Sequence, residues 1–180
     1  MEVFGSINPE NTEQTKAKVE QGWGKGQIPC FPQGTIVSTP NGNRPIEKLK
    51  IGDEVYAYNF ESNSIIVRKI LSSDRGSTNS WIAIVLSNSM ILRVTQKHPI
   101  WVASESKWIE AEHLKLEMSL YCQDGQTVNI ENIQIQPERF SQETYNLTVE
   151  AVNNFFVGKS HILDRKKRQI LQRKQTISYE

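Results

Sequence analysis

The sequence has only two cysteines, Cys30 and Cys122, among its 180 residues. Two thiols make neither a disulfide framework nor a four-thiolate metal centre. Histidine is also sparse, three in all, and its spacing to the cysteines matches no zinc pattern, so no metal is expected and no cofactor is implied. No stretch approaches the roughly 18 consecutive apolar residues of a spanning helix, which excludes a helical membrane span. Met1 to Pro9 lacks a basic start followed by an apolar run, so no signal peptide is visible. A cytoplasmic location with both thiols reduced is therefore expected.

What is present describes a polar globular chain. Hydrophobic residues make up 37%, charged residues 23%, and the mean hydropathy is −0.50, enough apolar material for one sizeable core. The net charge of +1 hides an asymmetry. The last sixteen residues hold Arg165, Lys166, Lys167, Arg168, Arg173 and Lys174 against Glu180, a local +5 that leaves the remainder at −4. A basic run of this kind can meet nucleic acid or an anionic surface. A solvated tail, or a lead into a partner domain, is the expected reading, and nucleic acid is not the expected partner.

Residues 1–29 read as a leader: a polar stretch over 11–21 suited to a short helix, then Gly22, Gly24 and Gly26 as a flexible joint. From residue 30 to about 164 the texture changes to short apolar-alternating runs between turn residues. Thr35 to Thr39 precedes Pro40-Asn41-Gly42-Asn43, a hairpin signal. Glu54 to Phe60 and Ser64 to Leu71 flank Glu61-Ser62-Asn63; Trp81 to Leu86 and Met90 to Val94 flank Ser87-Asn88-Ser89. Further strands are predicted over 98–102, 119–122, 127–135, 144–149 and 154–157, with one or two helical turns over 111–118. Trp81, Trp101 and Trp108 are expected as core anchors of the sheet. The fold class is all-β and mostly antiparallel. Residues 165–180 form the basic tail.

Four ordered blocks carry the chemistry: Cys30-Phe31-Pro32-Gln33-Gly34-Thr35; Pro45-Ile46-Glu47 running to Gly52-Asp53-Glu54-Val55; Thr95-Gln96-Lys97-His98-Pro99; and Tyr145-Asn146-Leu147-Thr148-Val149-Glu150 followed by Phe155-Phe156-Val157-Gly158. In this combination the chain resembles the Hint family, the self-processing domain of inteins and hedgehog proteins. Its wording is similar to the bacterial intein-like and polymorphic-toxin branch. The resemblance implies a horseshoe or disc of curved antiparallel hairpins in two pseudo-symmetric halves. It implies that Cys30 attacks the Pro29 carbonyl in an N-to-S acyl shift, forming a thioester that water, a thiol or another nucleophile cleaves. Thr95 would hold the scissile group, and His98 would hydrogen-bond the Cys30 nitrogen and protonate it on departure. Oxyanion donors are required but not named by the sequence; backbone N–H groups are expected. Asp53 is expected to order backbone amides in a turn.

The substrate so implied is the chain's own N-terminal segment, with an external nucleophile or flanking domains as partners. The C-terminal block departs from the splicing pattern. The terminal His-Asn position falls near Arg165-Lys166, Asn153 stands where the block carries His, and Asn146 stands where it often carries Asp. His161 is close but is followed by Ile162. Full splicing is therefore not expected. Three other readings stand beside this one: Cys122 as a packed small residue, or an oxidation partner for Cys30; the whole domain as a catalytically degenerate Hint module serving as connector or presentation scaffold; and the tail as the functional element.

Overall fold

Turn chemistry sets the hairpins. The computed structural model describes residues 29–166, so the expected leader helix, glycine joint and most of the basic tail lie outside the described residues. After the short β1 (Phe31–Pro32), β2 (Ile36–Thr39) returns as β3 (Gly42–Pro45), with Gly42 at φ +93, a backbone region costly for side-chain-bearing residues. β4 (Glu54–Asn59) turns into β5 (Ser64–Leu86) where Asn59 Oδ1 accepts the Glu61 N–H at 2.9 Å and Asn63 adopts φ +48. β5 turns into β6 (Ile91–Val94) with Ser89 at φ +67. There follow β7 (Pro99–Val102), β8 (Lys107–Glu110), β9 (Ser119–Tyr121), β10 (Thr127–Val149), β11 (Asn154–Val157) and β12 (Ile162–Arg165).

All twelve strands join one antiparallel network in the order β3-β2-β11-β12-β7-β9-β10-β5-β4, with β1 on β10, β6 on β5 and β8 on β7. No α-helix occurs among the described residues, so the all-β expectation holds. The expected helical turns over 111–118 reduce to a 3-10 turn at Ala111–His113.

Strand number is where the sequence reading needs correction. The runs 64–71 and 81–86 are one 23-residue strand, and so are 127–135 and 144–149. The polar stretch 72–80, which contains Gly76, reads as a loop. It is held extended because residues 142–148 pair with 72–78, so tertiary pairing overrides weak local preference. β8 and β12, short and charged, escape the alternation pattern.

The core runs under this network through fully buried Phe31, Ile70, Ile84, Leu120, Leu147 and Phe155. Trp81 joins it, but Trp101 and Trp108 do not. Instead they are half-buried in an aromatic group with Tyr58, Phe60 and Tyr121, with Trp101 and Trp108 centroids 5.3 Å apart. Asp53 does order its turn, accepting the Lys50 N–H at 2.9 Å.

One buried side chain ties β4 to β11. Asn154 accepts the Tyr58 N–H at 2.7 Å and donates to the Tyr58 carbonyl at 2.9 Å. Truncation leaves both backbone groups unpaired, so Asn154→Ala is expected to cost about 1–3 kcal/mol, read as a lowered urea midpoint at unchanged slope.

Candidate active site

Where β1 meets β10, the register pairs Phe31 with Tyr145 and Pro32 with Thr144. One further step sets Cys30 opposite Asn146. Alternate residues of a strand share a face, so Thr144, Asn146 and Thr148 line one side of β10. Their partners across on β5 are Gly76, Asp74 and Ser72.

The Pro29–Cys30 peptide is held at both ends, by this face at its oxygen and by Thr95 at its nitrogen. The Asn146 side-chain amide donates to the Pro29 carbonyl oxygen, and Asn146 Oδ1 is itself fixed by the Leu147 N–H at 2.8 Å. The Cys30 N–H donates to Thr95 Oγ1 at 2.9 Å, while the Thr95 N–H donates back to the Cys30 carbonyl at 3.0 Å. An amide donor on the carbonyl oxygen is placed to stabilise negative charge developing there. All described peptide bonds are trans.

The thiol is almost wholly enclosed, with Cys30 1% exposed. Burial pushes it up to about 11, against a smaller opposing effect of the Thr144 hydroxyl that hydrogen-bonds it. The charges of Asp74 and Lys166 act on it in opposite senses. Gly76 makes room for Thr144, since a β-carbon there would stand 3.0 Å from Thr144 Oγ1.

His98 is fully buried, its ring 4.2 Å from that of Phe31. Its Nε2 meets Asp164 Oδ2 at 2.6 Å, and its Nδ1 has no hydrogen-bond partner among the described residues. Burial pushes the imidazole down to about 3 and the Asp164 carboxyl well above its usual range. Both shifts have one cause: neither group ionises alone in the interior, so the pair carries one proton between them.

A family model, the pretoxin Hint domain, matches residues 36–165. The chain belongs to the pretoxin Hint domain family. A bacterial intein-like domain from Clostridium thermocellum superposes at TM-score 0.72 with 22% identity, covering 79% of this chain and all of that one. The Ssp DnaB mini-intein variant M86 gives 0.68 at 16% identity, over 82% of this chain and 99% of that one. The gp41-1 intein gives 0.63 at 19%, over 79% and 100%. No curated protein matches.

In this Hint domain the fold sets Thr95 and Asn146 on the Pro29–Cys30 peptide, while His98 lies against the Phe31 ring and bonds Asp164. The matched span begins after Cys30, so that residue is placed by geometry alone. The sequence reading gives the Cys30 N–H to His98; the structure gives it to Thr95, and His98 turns to Asp164. Side-chain Asn146 takes the place expected of backbone donors on the carbonyl. Asn153, at φ +52, contributes its carbonyl to the Lys166 N–H at 3.1 Å. His161, at φ +49, sits in the β11–β12 turn and contributes its carbonyl to the Gln123 N–H at 3.1 Å. Cys122 is a buried free thiol beside Ile162. Glu110 at the end of β8 and the exposed Glu112 and His113 of the 3-10 turn cluster within 4.8 Å, and Glu112 lies 3.6 Å from His113. Exposed acidic groups of this kind do not by themselves make a metal centre. Asp164 and Thr144 were missed. The one available signal for Asp164 was a carboxylate after two apolar residues, Ile162-Leu163, that continue the closing block.

The shared proton fixes a stability profile. Between about 3.8 and 6.5, the ordinary values of the two groups, the unfolded chain also binds one proton across them, so this pair adds no slope. Above that window the unfolded imidazole loses its proton while the folded pair keeps one, so stability falls as pH rises. Below it the unfolded carboxylate gains a second proton that the folded pair lacks, so stability falls again. In Asp164→Asn the alkaline fall should vanish and the acid fall should begin near 6.5. Urea midpoints from pH 3 to 8.5 measure this, and superimposable profiles would refute the shared proton.

Proposed function

We propose that this Hint domain processes its own chain once, through a thioester at Pro29–Cys30. The observation that supports it most directly is the double hold on that peptide, Asn146 on the oxygen and Thr95 on the nitrogen.

In the reaction Cys30 Sγ bonds to the Pro29 carbonyl carbon and the carbon–nitrogen bond breaks. Asn146 holds the oxyanion. Thr95 keeps the leaving nitrogen in line. With Asp164 donating to Nε2, His98 carries its own proton on Nδ1 and gives it to the leaving nitrogen. Asp164 refills Nε2 as this happens, and the proton released by the thiol restores the pair. The net change is one proton moved from sulfur to nitrogen. Water or a thiol then attacks the thioester and releases residues 1–29. Asp164-Arg165-Lys166 offers no asparagine to cyclise, so full splicing does not follow.

A second reading is supported by two observations. The thiol is buried, and His98 bonds Asp164 rather than Cys30, as expected of a degenerate module kept as a connector or presentation scaffold.

Intact mass over time, with and without dithiothreitol or hydroxylamine, separates them. A 30–180 fragment should appear in the native chain and not in Cys30→Ala. Because Cys30 stands near 11, the rate should climb about tenfold per pH unit between 7 and 10. Asn146→Ala should slow it by about 10²–10³. A chain that keeps its linear connectivity and yields no fragment under thiol at any pH would leave the scaffold reading.

A further inference from the structure

The acceptor of the acyl group is the open chemical question, and one amine stands on the same face as the carbonyl. Lys166 Nζ donates to the Asp74 carboxylate and, at 2.8 Å, to Thr148 Oγ1. Asp74 is the cross-strand partner of Asn146, whose amide holds the Pro29 oxygen, and Thr148 is two residues from Asn146 on that face. Directly opposed residues in an antiparallel pair have β-carbons about 4.5–5.5 Å apart, so the amine is docked one side chain away from the group that holds the carbonyl. Lys166 is mostly enclosed, its side chain 19% exposed, and its own N–H is pinned to the Asn153 carbonyl at 3.1 Å. A surface lysine with only a solvated role needs no such seat.

We propose that Lys166 is an internal acyl acceptor, so that the thioester resolves into an isopeptide between the Pro29 carboxyl carbon and Lys166 Nζ. This rests on the thioester reading above. The step balances within the chain. Lys166 Nζ gives a proton to the Asp74 carboxylate and attacks the thioester carbonyl. The new carbon–nitrogen bond forms, the carbon–sulfur bond breaks, and the departing sulfur and the new amide nitrogen settle their protons through Asp74 and solvent. The product is an amide, stable to hydroxylamine, with the Cys30 thiol and α-amine both free. The N-terminal segment is thereby moved from the backbone at residue 30 to the side chain of residue 166.

The branched product is an isomer of the linear precursor, so intact mass alone does not reveal it. Two other readouts do. Sequential degradation would show two amino termini, Met1 and Cys30, on a chain of unchanged mass. Tryptic fragments would carry residues 26–29 as a remnant on Lys166, since Lys25 is the preceding cleavage point. Both signatures are expected in the native chain and should be absent in Cys30→Ala. Lys166→Arg keeps a cation beside Asp74 but removes the acylatable amine. It should abolish the remnant while thiol-induced release of residues 1–29 persists within about twofold.

Thiol-dependent release without any branched chain in the native protein would overturn the acceptor assignment and leave the Cys30 reading standing. A remnant on a different lysine, or one that survives Lys166→Arg, would overturn it too. A native chain that gives neither release nor branching overturns both readings together.

Discussion

Everything at the Pro29–Cys30 junction depends on the pairing of residues 72–77 of β5 with 143–148 of β10. That register sets Gly76 against Thr144, Asp74 against Asn146 and Ser72 against Thr148 on a single face. A slip of one residue would turn Thr144 and Asn146 away from the junction and replace them with Tyr145 and Leu147. The register is fixed from outside the site. On the opposite face of β10, Tyr145, Leu147 and Val149 are buried, and their burial is lost if the strand slides. Apolar packing on one side thus holds polar chemistry in place on the other.

The enclosure of Cys30 looks adverse to reactivity. A thiol near 11 is ionised to only about one part in 10⁴ at neutral pH. Against this stands attack within one residue of the same chain, where effective molarities of about 10⁵–10⁸ M are attainable for aligned groups. A gain of that size outweighs a roughly 10⁴-fold shortage of thiolate, so a high thiol value is compatible with slow, single-turnover chemistry. Enclosure also keeps the Cys30 side chain away from bulk water.

Much of this was legible in the residues, for stated reasons. The hairpins at 40–43, 61–63 and 87–89 were readable because Asn, Gly and Ser supply backbone conformations that strands do not. The meeting of Cys30 with Thr95 was readable because their blocks stand in the order that the family resemblance rests on. The long strands were not, because 72–80 is polar and carries Gly76; only its partner strand keeps it extended. Asp164 was not, because nothing local distinguishes a carboxylate that meets an imidazole sixty-six residues earlier in the chain. Asn146 was found as a position but not as a role. Its contact with the Pro29 carbonyl is a property of the β1–β10 register rather than of its neighbours in sequence.

The His98–Asp164 contact joins β7 to the last described strand. Ribosomes build a chain from its amino end, so Cys30, Thr95 and even Asn146 emerge well before Asp164 and Lys166. Until β12 has been made and docked on β7, His98 has no carboxyl to share a proton with. Order of synthesis thus becomes an order of assembly: the Pro29–Cys30 peptide is made early, and the carboxyl that meets His98 arrives last.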